Sequence, residues 1–312
     1  MPSDKLNRRD FVEITVGTGL ALGLPLSLHA QEKMLSRPIP TTGESLPVIG
    51  LGTSDAFENV STEGFHELKK VLTTLVDAGG SLIDTAPTYS DAELVLGRLF
   101  AALPIQKQLF LASKISLWSV PLKSKQAGIN QMNSSEKVLG KSPLDLNQVH
   151  NLNDLNIQWQ NLVERKQMGR VRYIGVTIYH YGQFDRLEEF LRKTDGVDFV
   201  QLNYSLVEPR ADEILIPLAA DKGAAIIVNR PFADGGFFSK VGKQTLPKWA
   251  KEFDCDSWGQ FALKWILGNQ SVNCALPATS KSRHMVDNAL AGFGRLPTVR
   301  QRKQMLEFFQ SL

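Results

Sequence analysis

Asp84 closes the apolar run Leu82-Ile83, and Tyr89 follows five residues later across Thr85-Ala86-Pro87-Thr88. Lys114 closes the run that starts at Leu109, and His150 closes the run that starts at Leu144. A free phenol, with a pKa of about 10, is a poor acid at neutral pH. An ammonium beside it stabilises the phenolate and lowers that pKa, and a carboxylate beside the ammonium keeps it placed and charged. An imidazole can donate a hydrogen bond to a substrate oxygen and orient it. Such a set suits delivering a proton to an oxyanion as it forms on a carbonyl carbon. Taken singly, each residue has a plainer reading: a strand-capping Asp, a surface Tyr, a Lys that ends a strand, a hydrogen-bonded loop His. Their coincidence at strand ends is what points to chemistry.

Positioning four such groups requires elements that end on one face. Ser81-Leu82-Ile83-Asp84 is too short for a helix and reads as a buried strand stopped by Pro87. Seven further runs have the same character: 48–53, 109–114, 144–150, 171–177, 199–204, 224–230 and 272–277. Between most of them lies helical periodicity. Phe65, Leu68, Val71, Leu72, Leu75 and Val76 mark one face of a helix that Ala78-Gly79-Gly80 ends. Leu94, Leu96, Leu99 and Phe100 mark a second, Phe184, Leu187, Phe190 and Leu191 another, and Leu215, Leu218 and Ala219 one more. Eight strands alternating with helices predict a (β/α)8 TIM barrel, whose parallel strands all end at one mouth. A doubly wound sheet is the rival, but no G-x-G-x-x-G follows the first strand. Ahead of the barrel, Arg37–Pro40 and Leu46–Ile49 flank Thr42-Gly43-Glu44 and predict an N-terminal β-hairpin. No linker interrupts residues 35–312, which read as a single barrel domain.

Composition narrows the function classes. A formal net charge of +3 and the lack of a dense Lys/Arg stripe argue against a nucleic-acid partner. Two cysteines, Cys255 and Cys274, cannot build a disulfide framework or a cysteine-only metal site, and both read as free thiols. His29, His66, His180 and His284 show no metal-ligand spacing, so no metal is expected. Arg8-Arg9 precedes an apolar Gly- and Ala-rich run from Ile14 to Leu28. Residues 1–30 therefore read as a twin-arginine-type export signal, which predicts the twin-arginine export machinery as a partner and a periplasmic location. A cytoplasmic location follows if the signal is not functional. The run is short and broken by Pro25, so no membrane span is expected in the mature chain.

From about Leu46 to Asn288 the sequence resembles the aldo-keto reductase superfamily. Gly50-Leu51-Gly52-Thr53, Asp84-Thr85-Ala86-Pro87-Thr88-Tyr89, Leu111-Ala112-Ser113-Lys114, Gln148-Val149-His150-Asn151 and Gly169–Val176 resemble its successive signatures. Asp84, Tyr89, Lys114 and His150 fall on its catalytic tetrad. The resemblance implies a barrel that binds NADP(H) and reduces an aldehyde or ketone to an alcohol, an oxidoreductase acting on CH–OH donors. Tyr89 would be the general acid, Lys114 its pKa-lowering partner, Asp84 the anchor of the lysine and His150 the residue that orients the carbonyl. A different class stays open on the same barrel: a nicotinamide-binding redox sensor or interaction protein, which would have no need of the acid.

The resemblance also assigns the second half of the chain to the cofactor, with departures. Thr53 belongs to this set, and Gln201 matches the glutamine that holds the nicotinamide carboxamide. Thr177-Ile178 stands where the family usually has Ser-Asn; Thr177 keeps a hydroxyl, but Ile178 cannot replace an amide. Asn229 stands where members often carry an aromatic residue, leaving Arg230 as the group available to stack, since its guanidinium is planar. Pro231 and Phe232 follow, and Ala233-Asp234-Gly235-Gly236 resembles the pyrophosphate loop, whose glycines allow close approach. Thr279, Ser280, Lys281 and Arg283, at a helix start suited to a phosphate, fall on the 2′-phosphate segment, and Asp287 and Asn288 on the adenine segment. His284 stands where many members have arginine. This set favours NADP(H) and leaves NAD(H) open. Trp118 and Trp159 are candidates for the substrate mouth, His180-Tyr181 can border it, and Trp265 reads as core.

Overall fold

The chain enters through a hairpin of β1 (Ser36–Pro38) and β2 (Ser45–Pro47), paired antiparallel, with Gly43 at φ +76° in the turn. Residues 33–117 and 123–312 are described by the computed structural model. The segment read as an export signal and Trp118 lie outside the described residues. Lys33–Leu312 forms one compact unit.

Eight strands follow: β3 (Leu51–Gly52), β4 (Leu82–Asp84), β5 (Phe110–Ile115), β6 (Leu144–His150), β7 (Val171–Thr177), β8 (Phe199–Asn203), β9 (Ala225–Asn229) and β10 (Val272–Ala275). They pair in parallel in chain order from β3 to β10. Parallel bridges Ile49–Ala275 and Gly52–Ala278 bring the two ends together, so the sheet closes on itself as the sequence predicts. The first barrel strand is short, and the residues beside it complete the closure: Val48 and Gly50 bond to Ala275 on one side and Thr53 bonds to Asp84 on the other. Gly50 permits the close approach of these strands: a Cβ there would lie 2.8 Å from the Leu82 carbonyl oxygen.

Between and after the strands run α1 (Thr62–Asp77), α2 (Ala92–Ala102), α3 (Lys125–Leu139), α4 (Leu155–Gln167), α5 (Phe184–Lys193), α6 (Leu215–Asp221), α7 (Gly236–Val241), α8 (Trp258–Leu267), α9 (Ser282–Leu290) and α10 (Val299–Ser311). Their apolar stripes face the barrel, since a lone amphipathic helix has nowhere else to bury them. In α1 the Ser61 hydroxyl caps the first turn and Leu68, Val71, Leu72 and Leu75 are buried. The face of α2 is rotated from the expected one: Ala92, Val95, Leu96, Leu99 and Phe100 are buried, and Leu94 is exposed. Trp265 is core, as expected, and Trp159 packs edge-on against Phe190 between α4 and α5, away from the mouth.

Inside the barrel a separate apolar layer holds Leu82, Phe110, Leu146, Tyr173, Phe199 and Ile227, and the hairpin adds Ile39 and Leu46 to it. The Arg37 guanidinium ties that hairpin to the Leu267, Asn269 and Val272 carbonyls at the amino end of β10. The lower barrel is therefore filled, and polar groups face the opposite, carboxyl end.

Candidate active site

The strand ends deliver their side chains to one cleft. Asp84 ends β4, His150 ends β6 and Thr177 ends β7, with His150 opposite Thr177 and Thr177 opposite Gln201 in the ladder. The cleft, of about 1200 Å³, is lined among others by Thr53, Asp84, Tyr89, His150 and Thr177. Lys114 is buried, and its Nζ donates to Asp84 Oδ2 at 2.7 Å and to the Thr85 carbonyl at 2.8 Å. The same ammonium lies 4.9 Å from the centroid of the Tyr89 ring, and the Tyr89 and His150 rings meet edge-on at 5.9 Å. The geometry thus gathers the four residues singled out in the sequence.

The electrostatics differ from the expectation in one respect. Burial raises the Tyr89 pKa above its ordinary value, and this outweighs the lowering by Lys114, with Asp84 adding to the rise. Burial alone would depress Lys114, but Asp84 and Tyr89 together raise it, so the ammonium stays charged. His150 is pushed down to about 3, by burial and then by Lys114, and is neutral at physiological pH. A neutral imidazole has one donor and one acceptor nitrogen. Its Nδ1 lies 2.9 Å from Ser116 Oγ and 3.4 Å from Thr88 Oγ1. With a hydroxyl donating to Nδ1, Nε2–H becomes the donor left for a substrate oxygen.

Ser116 was not singled out in the sequence. Its backbone is clamped by Gln131, which accepts from the Ser116 amide at 2.7 Å and donates to its carbonyl at 2.9 Å. The signal available was alternation: Ser116 follows Lys114 by two residues, so both face the barrel interior. Gln148, two before His150, was missed in the same way. It donates over long bonds to Asp84 Oδ1, at 3.5 Å, and to Gln201 Oε1, at 3.4 Å.

The residues assigned to a cofactor divide into groups. Thr53, Thr177, Arg230, Pro231, Phe232, Gly235, Thr279, Ser280 and Lys281 all border the cleft, as does His284. Thr53 Oγ1 donates to the Asp84 carbonyl at 3.0 Å. Gln201 is buried beneath the cleft with its Nε2 unpartnered. Arg230 is pinned at the rim, to Asp234 at 2.7 Å, to the Tyr179 carbonyl and towards Glu208 at 3.7 Å. The loop it starts is strained: Arg230, Ala233 and Asp234 hold φ of 48°, 47° and 51°, where non-glycine residues lose roughly 1–2 kcal/mol each. Arg283 borders a second hollow beside α1 instead, and Glu67 of α1 accepts from the Ser282 amide at 2.9 Å and hydroxyl at 2.6 Å. Those two bonds hold the Glu67 carboxyl well below the usual range. Asp287 is committed to the start of α8, through Ser257 Oγ at 2.7 Å and Gln260 Nε2 at 2.8 Å, and Asn288 is buried. His180 borders the cleft, whereas Tyr181 packs on Phe184. No group of three or more His, Cys, Asp or Glu placed to hold a metal occurs among the described residues, in which both cysteines are free and buried.

Comparison with known proteins agrees with this architecture. The methylglyoxal reductase YeaE of Escherichia coli is 26% identical over 262 residues, 82% of this chain and 89% of its own. An NADH-specific methylglyoxal reductase of the same organism is 24% identical over 244 residues, covering 69% and 72%. The fold superposes on an aldo-keto reductase from Klebsiella pneumoniae, solved in complex with NADPH, with a TM-score of 0.72 at 22% identity over 88% of this chain and 96% of that one. Residues 48–299 match the Aldo/keto reductase family over most of the barrel, and the chain belongs to that family.

Proposed function

We propose that this protein reduces an aldehyde or ketone to an alcohol with NADP(H), Tyr89 delivering the proton. The observation that carries the reading is the buried Asp84–Lys114 pair set beneath Tyr89 at a cleft that His150 also enters. The relatives named for methylglyoxal reduction and the NADPH-bound structural neighbour support it. The chain's own residues fit a nicotinamide: Gln201 Nε2 is a buried donor with no partner, placed next to Thr177 in the ladder, as a carboxamide oxygen requires. Thr279, Ser280 and Lys281 would hold the phosphate end. NAD(H) stays open, since one relative is NADH-specific.

When bound, the nicotinamide supplies the hydride. The protein's part is positioning and proton delivery. His150 Nε2–H fixes the carbonyl oxygen by a neutral hydrogen bond. The raised pKa of Tyr89 keeps its proton in place until a stronger base, the forming alkoxide, stands within reach. Lys114 stabilises the phenolate left behind, and Asp84 holds Lys114. This division of labour needs an intact acid, which a pure redox sensor would not. Incubating the protein with NADPH and a panel of aldehydes and ketones tests the reading: cofactor oxidation dependent on the carbonyl is expected, and binding of cofactor without turnover of any carbonyl would refute it.

Residues 1–30 as a twin-arginine export signal, residues 35–312 as the barrel domain and a periplasmic location are part of the same proposal. It rests on Arg8-Arg9 and the apolar run after them. Cell fractionation with an Arg8→Lys/Arg9→Lys variant tests it: the wild type should be exported and the variant retained.

A further inference from the structure

Two departures from the family pattern, remote in sequence, meet in space. Asn229, which ends β9, donates through Nδ2 to the carbonyl of Ile178, which follows β7, at 2.8 Å. The Ile178 side chain is buried in the apolar core and offers the cleft nothing. Asn229 borders the cleft, and its Oδ1 is buried without a partner. The bond to a carbonyl fixes which end of the amide is which, because a carbonyl accepts only from the NH2.

The second half of the arrangement is Gln201. Asp84, a carboxylate, accepts from Gln148 Nε2, and the same nitrogen donates to Gln201 Oε1, which leaves Gln201 Nε2 as the free end. In the β8–β9 ladder Gln201 stands opposite Ile227, two residues before Asn229, so the two side chains emerge on the same barrel-facing side. One free donor and one free acceptor therefore lie on the same side of two adjacent strands, the acceptor at the cleft and the donor buried below it. That is the complement of a primary carboxamide, which has one acceptor oxygen and one donor NH2.

We propose that Asn229 is a positioning residue for the nicotinamide carboxamide, accepting its NH2 through Oδ1 while Gln201 donates to its oxygen, in place of the amide that position 178 lacks. The inference rests on the carbonyl-reductase reading and extends it to a residue that neither the sequence nor the comparisons assign. It also accounts for the missing aromatic residue at this position: the side chain anchors the edge of the ring and does not cover its face. A misplaced carboxamide lets the ring rotate, so the site gains orientation as well as affinity.

The test uses two ligands that share the phosphate end: NADPH and adenosine 2′,5′-bisphosphate, which lacks the nicotinamide. Dissociation constants are measured by calorimetry for the wild type, Asn229→Leu and Asn229→Ala, with thermal melting to confirm folding. Expected is a roughly tenfold weaker NADPH complex in both variants, with bisphosphate binding unchanged. NADPH affinity unchanged by Asn229→Leu and Asn229→Ala overturns the proposal, and so does an equal loss for both ligands. A wild type that binds bisphosphate but not NADPH would instead refute the reading of the cleft as a nicotinamide site.

Discussion

Lys114 Nζ lies 2.7 Å from Asp84 Oδ2, with the two side chains only 1% and 6% exposed. A buried ion pair is costly to break from one side, because the survivor is an uncompensated charge. Asp84→Asn should therefore destabilise the barrel by about 3–5 kcal/mol in urea unfolding, whereas Asp84→Asn/Lys114→Met should regain most of that loss. Neither variant should reduce carbonyls at more than a small fraction of the wild-type rate. A single variant as stable as the wild type would show that the pair is not charged as described.

His150, depressed from 6.5 to about 3, binds its proton more readily in the unfolded chain than in the folded one. Between those values the unfolded state therefore holds more protons, so stability falls as pH falls from about 6.5 towards about 3, by up to ~1.4 kcal/mol per pH unit. Unfolding free energies measured across that range should show the slope shrinking in His150→Asn. Identical slopes for both proteins would contradict a neutral, buried imidazole.

Ser116 Oγ lies 2.9 Å from His150 Nδ1, and with the hydroxyl donating there the proton of the neutral ring sits on Nε2. In Ser116→Ala that preference is lost, and kcat should fall about tenfold with NADPH affinity unchanged. Ser116→Thr keeps the hydroxyl and should retain most of the rate. Equal kcat in Ser116→Ala and the wild type would leave the tautomer without a keeper.

Lys281 borders both the main cleft and the second hollow, whereas Arg283 lines the second hollow and is absent from the cleft. A lysine facing a 2′-phosphate acts as a point charge, so Lys281→Ala should weaken NADPH by about tenfold and NADH hardly at all. Arg283→Ala should change neither by more than about twofold. Titration of both cofactors against the two variants checks the pair of expectations, and the reverse ranking would place the phosphate on the other side of α9.

The barrel was legible because its strands are short apolar runs with a common rhythm, and the tetrad because three of its members close such runs and Tyr89 follows one of them on the next loop. What stayed hidden depended on distance or depth. Sequence reading placed Leu94 on the buried face of α2, but the stripe at Ala92, Val95, Leu96, Leu99 and Phe100 leaves it outside. The net effect on Tyr89 could not be read, since Lys114 and burial oppose each other and only packing decides between them. The Asn229–Ile178 contact joins residues separated in the chain by two helices and a strand, and each looked like a loss until the other was found beside it. Arg283 and Asp287 sit in a segment whose composition suits a nucleotide, but the phase of α9 turns one to another hollow and the other to α8.

The central claim is that Tyr89 supplies the proton, and Tyr89→Phe tests it most directly. The substitution removes one hydroxyl and keeps the ring that packs near Lys114 and His150. In a single-turnover measurement with NADPH pre-bound, carbonyl reduction should slow by at least about 100-fold, with the NADPH dissociation constant within about twofold of the wild type. A Tyr89→Phe protein that reduces the same carbonyl at the wild-type rate would contradict the account.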